Sequence, residues 1–127
     1  MKVVGIIAEY NPFHKGHAYQ IRYAKERLGA DYVIVAMSGP FTQRGTPALF
    51  DKYSRAGHAL ACGADLVLEL PVVYATASAQ AFATGGVALL QNTGLVDTLL
   101  FGSECPDLAA LKNIADRLSE ESPAYQA

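Results

Sequence analysis

Four short apolar runs, separated by longer segments, are the feature that most limits how this chain can fold. They cover residues 3–8, 32–37, 66–70 and 98–101. Nearly every residue in them is apolar, so they lack the alternation of a strand with one face in water. Strands buried on both faces belong to parallel sheets that helices cover. The runs therefore predict an α/β fold with a parallel sheet between two helical layers.

The segments between the runs carry helical signals. Apolar positions three or four residues apart predict a helix from Gly16 or His17 to Leu28, which Gly29 ends. Asp51 is a typical N-cap for a second helix to about residue 61, and residues 78–90 form an Ala-rich third one with Gly85-Gly86 weakening its middle. A final apolar stripe consists of Leu108, Leu111, Ala115 and Leu118.

This order of elements predicts one Rossmann-like domain over residues 1–127. The chain offers four strands, whereas doubly wound sheets commonly hold about five or six. We therefore expect residues 1–127 to be the N-terminal part of a longer chain whose C-terminal part is missing.

Composition excludes several classes of protein. Hydrophobic residues make up 51% of the chain and charged residues 17%, which excludes a disordered chain. A net charge of −2 does not by itself indicate binding to nucleic acid or to an anionic membrane. The two cysteines, Cys62 and Cys105, are too few for a disulfide framework. We expect both as reduced, mostly buried thiols in a cytoplasmic protein, because no signal peptide or membrane-spanning run is present.

The tetrapeptide His14-Lys15-Gly16-His17 lies where the first strand passes into the first helix. The N-terminus of a helix presents free N–H groups and a partial positive charge, which suit phosphate. Gly16 leaves room for close approach to the backbone, and the imidazoles of His14 and His17 can donate to phosphate oxygens. The pattern favours a nucleotide phosphate site over two surface histidines beside a helix cap. A zinc site that adds a cysteine to the two histidines is a further, weaker alternative.

Other phosphate and hydrolase motifs are missing. The chain has no G-x-G-x-x-G after its first strand, no G-x-x-x-x-G-K-[ST] and no G-x-S-x-G. These absences argue against a dinucleotide dehydrogenase, a P-loop ATPase and an α/β-hydrolase.

The sequence around and beyond this tetrapeptide resembles the tRNA(Met) cytidine acetate ligases, within the HIGH-type nucleotidyltransferase superfamily. The resemblance runs in order through GIIAEYNPFHKGH (5–17), MSG (37–39), QRG (43–45), FDK (50–52), GADLVLELP (63–71) and FGSE (101–104). It implies a HIGH-type nucleotidyltransferase fold, also called adenine nucleotide α-hydrolase-like. It further implies that ATP and acetate give acetyl-adenylate and pyrophosphate, and that the wobble cytidine of elongator tRNA(Met) becomes N4-acetylcytidine.

The resemblance also implies which residues act. His14 and His17 are the expected catalytic donors to the phosphate oxygens. We expect ATP as the nucleotide, accompanied by Mg²⁺, with no metal ligand supplied by the chain. The implied ATP-binding positions are Ile7, Ala8, Glu9, Tyr10, Asn11, Pro12, Phe13, His14, Lys15, Gly16, His17, Gln20 and Gly102.

A second group of residues is expected near acetate or the tRNA. Ser38, Gln43 and Arg44 follow the second strand, while Lys52 and Arg55 lie three residues apart on the second helix. Weaker candidates for the ATP pocket are Ser103 and Glu104. On the second helix, His58 and Cys62 are expected to pack in the core rather than bind metal.

Two other functions remain open at this point. One is an adenylyltransferase acting on a small phosphorylated metabolite of coenzyme A or NAD synthesis. The other is a regulatory module that binds ATP without catalysis. The chain has no RNA-binding sequence signature, so its residues alone do not predict tRNA binding.

Overall fold

A computed structural model describes residues 1–102, and these residues form a parallel four-stranded sheet with helices on both faces. The strands are β1 (Val3–Ala8), β2 (Tyr32–Ser38), β3 (Leu66–Leu70) and β4 (Thr98–Leu99). Their order across the sheet is β3-β2-β1-β4, and every pairing is parallel. The predicted α/β class is confirmed. The stripe 108–118, Ser103, Glu104 and Cys105 lie outside the described residues.

Four helices connect the strands. They are α1 (Lys15–Glu26), α2 (Lys52–Ala61), α3 (Val72–Ala75) and α4 (Ala79–Asn92). None of these described helices is long and apolar enough to cross a membrane. The short α3 was not predicted, because a single turn is too short to show helical periodicity.

The two faces of the sheet carry separate apolar cores. Val33, Val35 and Met37 of β2 point to one face, where they pack with residues of α1 and α2. Ile34 and Ala36 point to the other face and pack with Leu90 of α4. This alternation explains the continuous apolar run: both faces are buried, so both sets of side chains are apolar.

Capping residues set the helix limits. Asp51 caps α2, as predicted, with its carboxylate accepting a 2.7 Å hydrogen bond from the Ser54 amide. Ser78 caps α4 by accepting from the Ala81 amide at 3.2 Å. Gly29 takes the left-handed conformation (φ 68°) three residues after α1, which confirms its predicted role as a stop.

Gly85 and Gly86 do not interrupt α4, contrary to the expected weakness at its middle. A Cβ at Gly85 would lie 2.5 Å from the Tyr74 ring, and one at Gly86 would lie 2.7 Å from the Ile7 side chain. The two glycines therefore let α4 pack closely against α3 and β1.

Two expectations for α2 are wrong. His58 and Cys62 are exposed, whereas Arg55 and Ala59 are the buried residues of this helix. The side of α2 that faces the sheet is therefore displaced from the predicted one and includes a buried arginine. β4 is also shorter than predicted, although the Leu100 amide still donates to the Gly5 carbonyl at 3.0 Å.

Candidate active site

A cavity of about 920 Å³ opens where the strand order reverses. The chain proceeds from β1 to β2 to β3 on one side and then returns to place β4 on the other side of β1. Loops at the carboxyl ends of β1 and β4 diverge at such a point and leave a crevice. The cavity lies there, between the end of β1, the start of α1 and the residues after β4.

Most of the predicted ATP-binding positions line this cavity. Phe13 and Lys15 are the exceptions: Phe13 packs against the core and Lys15 is exposed. Four lining residues were not predicted, and the i, i+4 spacing of Tyr19 and Tyr23 on α1 was the signal for two of them. The complete lining is Ile7, Ala8, Glu9, Tyr10, Asn11, Pro12, His14, Gly16, His17, Tyr19, Gln20, Tyr23, Leu100, Phe101 and Gly102.

The two histidines build the N-terminus of α1 with their own rings. His14 is the N-cap, and its Nδ1 accepts a 3.0 Å hydrogen bond from the Gly16 amide. His17 reaches back, and its Nδ1 accepts a 3.1 Å hydrogen bond from the His14 amide. The rings stack with their centroids 3.6 Å apart and their planes 22° apart. Backbone hydrogen bonds thus fix the position of both imidazoles.

These bonds also determine the proton on each neutral ring. A neutral imidazole that accepts at Nδ1 carries its proton on Nε2. Both residues therefore present an Nε2–H donor, and neither donor bonds to another group of residues 1–102. Burial, with a smaller effect of the neighbouring His14, lowers the pKa of His17 to about 4, so His17 is neutral near pH 7.

The Tyr10 ring packs against the His17 ring. Its ring is buried and contacts His17 edge-on, with the centroids 4.7 Å apart, and Phe13 in the same way at 4.8 Å. Burial raises the pKa of Tyr10, so its hydroxyl stays protonated. The backbone of Tyr10 adopts φ 54°, an unfavourable conformation for a side chain of this size. This left-handed residue turns the chain at the end of β1 and brings the ring beneath His17.

Arg55 has a different place from the one expected. It is fully buried, which contradicts the expectation that it contacts acetate or tRNA. Its guanidinium donates to four backbone carbonyls, those of Glu9 (2.7 Å), Ser38 (2.9 Å), Gly39 and Phe50 (3.0 Å). Arg55 therefore joins the loop after β1 to the end of β2 and the start of α2.

The other residues expected near acetate or tRNA are dispersed. Ser38 is buried and does not line the cavity. Lys52 forms an ion pair with Glu69 at 2.8 Å, and Arg44 is exposed. The Gln43 amide donates to a Glu9 carboxylate oxygen at 2.9 Å, which connects this loop to the cavity wall.

Metal ligands are sparse around the cavity. Within residues 1–102, no group of three or more His, Cys, Asp or Glu side chains could hold a metal ion. Glu9 is the one acidic residue of the lining, and its carboxylate already accepts from Gln43. In this part of the chain no cysteine joins His14 and His17 in a possible zinc site, and Cys105 lies outside it.

The chain also matches a family model and several known proteins. A family model described as HIGH Nucleotidyl Transferase matches residues 1–127. The tRNA(Met) cytidine acetate ligase of Acetivibrio thermocellus is 51% identical over 99% of this chain and 30% of its own length. That of Thermoanaerobacter sp. (strain X514) is 52% identical, over 99% of this chain and 31% of its own length.

A solved structure is also similar. The crystal structure of Thermotoga maritima TmcAL bound with alpha-thio ATP has a TM-score of 0.90 and 51% identity. The match covers 99% of this chain and 30% of that protein. The chain thus spans about 30% of the length of the relatives that it matches.

Proposed function

Because this chain belongs to the HIGH nucleotidyl transferase family, we propose that it binds ATP in the cavity where the strand order reverses and transfers the adenylyl group to acetate. In this proposal residues 1–127 act as the ATP-binding domain. The observation that carries it is the pair of oriented, unused Nε2–H donors at the N-terminus of α1. Such donors, together with the partial positive charge of the helix end, suit phosphate oxygens.

The first chemical step is an in-line displacement at phosphorus. An acetate oxygen attacks the α-phosphorus of ATP. The bond from that phosphorus to the oxygen that bridges the α- and β-phosphates breaks, and pyrophosphate leaves with the electron pair. Negative charge on the phosphate oxygens is redistributed in the transition state. His14 and His17 donate to these oxygens from fixed positions, so little reorganisation is needed at the moment of reaction.

The second step transfers the acetyl group. The N4 amine of a cytidine attacks the acetyl carbonyl, AMP departs and N4 loses a proton, which gives N4-acetylcytidine. The acceptor we propose is the wobble cytidine of elongator tRNA(Met), which places the protein in the cytoplasm. The names of the relatives support this acceptor. The alpha-thio ATP bound by the Thermotoga maritima protein supports ATP as the nucleotide.

We propose that Mg²⁺ enters the site bound to the phosphates of ATP. The described residues do not form a metal cage, because Glu9 is the only carboxylate of the lining. Mg²⁺ is commonly held by substrate phosphates and water with few protein ligands.

The test is exchange of labelled pyrophosphate into ATP by the natural polypeptide that contains this sequence. We expect exchange that depends on acetate and does not require tRNA. Exchange driven by phosphopantetheine or nicotinamide mononucleotide, and not by acetate, would instead identify the small-metabolite adenylyltransferase. Binding of ATP without exchange under any acceptor would identify the regulatory module.

A further inference from the structure

A group of large exposed side chains lies on residues 41–53, beside the cavity but outside it. The exposed fraction is 42% for Phe41, 73% for Leu49, 51% for Phe50 and 78% for Tyr53. These four residues and Arg44 are called the 41–53 surface below. Single exposed apolar residues are ordinary, whereas four within thirteen residues of chain indicate an interaction surface.

The backbone holds this surface against the cavity wall. The Leu49 amide donates to the side-chain oxygen of Asn11 at 2.8 Å, and the Gln43 amide donates to Glu9 at 2.9 Å. Asn11 and Glu9 both line the cavity. A molecule that rests on the 41–53 surface would therefore be adjacent to the proposed acetyl-adenylate.

The segment also has a defined shape. Phe41 pairs with Pro47 as in an antiparallel strand pair, and the Gly45 amide donates to the Thr42 carbonyl at 2.9 Å to close the turn. Tyr53 lies in the first turn of α2, whose start is bonded to Arg55 through the Phe50 carbonyl. The aromatic side chains thus project from an ordered support.

One exposed cation of the surface, Arg44, suits an anionic group. Arg44 is exposed and forms no hydrogen bond or ion pair with residues 1–102. Lys52 lies 5.5 Å from the centre of the Tyr53 ring while paired with Glu69. Aromatic faces combined with a free arginine are typical of surfaces that bind unpaired nucleic acid, because bases stack on rings and phosphates bind guanidinium.

We propose that the 41–53 surface docks the single-stranded loop of an RNA, with Phe41 and Tyr53 stacking on unpaired bases and Arg44 binding a phosphate. This inference rests on the proposed function, in which the acceptor is a cytidine of a tRNA. The acceptor base must leave its stack to reach the cavity, and aromatic platforms beside the entrance compensate its neighbours for the stacking that is lost.

The test measures binding of an RNA hairpin that carries the anticodon loop of elongator tRNA(Met) to the complete natural polypeptide. We expect Tyr53→Ala and Phe41→Ala each to weaken binding by about 5-fold to 100-fold, the equivalent of one lost stack. Tyr53→Phe keeps the ring and should bind as the unchanged protein does. Arg44→Ala should make the slope of log K against log salt shallower by about 0.7, because one phosphate contact is lost.

Tyr32→Ala is the matched control. Tyr32 is 50% exposed at the amino end of β2, away from the cavity, and its loss should change RNA binding by less than about 2-fold. Equal RNA binding by the unchanged protein and the Tyr53→Ala and Phe41→Ala variants would overturn the inference. So would a large loss of thermal stability in those variants, which would show that the surface is covered by the protein's own chain.

The two proposals fail in different ways. Absence of acetate-dependent pyrophosphate exchange by the unchanged protein would contradict the proposed function without involving the 41–53 surface. Normal pyrophosphate exchange, combined with RNA binding that is unchanged by Tyr53→Ala, Phe41→Ala and Arg44→Ala, would contradict the docking surface alone. Binding of the same RNA in fully paired form as tightly as the hairpin would also overturn it, since paired bases cannot stack on Phe41 and Tyr53.

Discussion

His14 and His17 each use one ring nitrogen for the fold, and the other forms no hydrogen bond within residues 1–102. Nδ1 of each ring accepts a backbone amide of the α1 N-terminus, which holds the rings in a stack. Both residues line the cavity, where the Nε2–H groups are the donors that we propose for ATP. This division means that a substitution can remove the Nε2 donor and keep the helix cap.

Asparagine separates the two roles of His14. Its side-chain oxygen is attached to Cγ as Nδ1 is, and asparagine is among the best N-cap residues. We expect His14→Asn to keep the free energy of unfolding while lowering the rate of pyrophosphate exchange by about 10²–10³. His14→Ala should lose a similar factor in rate and also about 0.5–2 kcal/mol of stability. An active His14→Asn variant would show that the Nε2 donor is not used.

The low pKa of His17 predicts how stability depends on pH. In the unfolded chain His17 titrates near its ordinary pKa of 6.5, whereas in the fold it titrates at about 4. Between these values the unfolded chain binds more protons, so the free energy of unfolding falls as the pH is lowered from about 6.5 to about 4. Urea denaturation near pH 7 and near pH 5 should show this fall, and His17→Asn should reduce it. An identical fall in the variant would assign the effect to another group.

The residue types of the site could be predicted, but their hydrogen-bond partners could not. The sequence placed His14 and His17 at the first strand-to-helix turn, as the structure does, and their role as phosphate donors stays a prediction. The choice of Nδ1 for the backbone depends on ring rotamers that only the structure defines. Arg55 was misplaced for a different reason: a charged residue is seldom buried, and its four carbonyl partners are dispersed along the chain.

At the level of elements, Arg55 ties two loops and a helix start together. Arg55→Met would leave four carbonyls without their donor, and each unpaired buried acceptor costs about 1–3 kcal/mol. We expect a loss of at least about 3 kcal/mol in the free energy of unfolding. Arg55→Lys should recover little, because a single ammonium cannot span the same carbonyls.

The exposed Arg22 on α1 provides the comparison for Arg55. Arg22→Met should change stability by no more than about 0.5 kcal/mol, because its guanidinium lies at the surface. Urea denaturation of both variants decides the matter. Similar values for Arg55→Met and Arg22→Met would mean that the buried hydrogen bonds contribute little.

Two helical glycines should respond in opposite ways to alanine. Gly86→Ala places a methyl group about 2.7 Å from the Ile7 side chain and should destabilise the protein by about 1–3 kcal/mol. A Cβ at Gly57 of α2 meets nothing within 4 Å, so Gly57→Ala should stabilise by up to about 1 kcal/mol through helix propensity. Thermal unfolding of the two variants, with Gly86→Ala also combined with Ile7→Ala, tests this. If Ile7→Ala does not relieve the cost, the contact is not its cause.

Strongly patterned elements were predictable, and those shaped by packing were not. β3 has the predicted limits of Leu66–Leu70, and the cap of α2 was found because Asp51 acts locally. The continuity of α4 through Gly85-Gly86 was missed, because the reason lies in Tyr74 and Ile7, which are distant in sequence. Propensity alone penalises glycine, whereas close helix packing requires it.

At the scale of the whole molecule, the strand order determines where a ligand can bind. The sequence pattern predicted four parallel strands and a ligand at their carboxyl ends, but not which strand would neighbour β1. Within residues 1–102, β4 pairs with β1 through two residue pairs, Val4 with Thr98 and Gly5 with Leu99. The reversal between β1 and β4 creates the cavity, and no residue of β2 or β3 lines it.

If ATP binds where the strand order reverses, β4 should open only after ATP has dissociated. The Leu100 amide, bonded to the Gly5 carbonyl at 3.0 Å, should then exchange with deuterium more slowly by a factor of 1 + [ATP]/Kd, about 100-fold at an ATP concentration of 100 Kd. The Gly45 amide, bonded to Thr42 in a turn outside the cavity, should exchange at an unchanged rate because its local opening leaves the site intact. Slower exchange at Gly45 without slower exchange at Leu100 would place the nucleotide away from the reversal between β1 and β4. It would then contradict binding of ATP by His14 and His17.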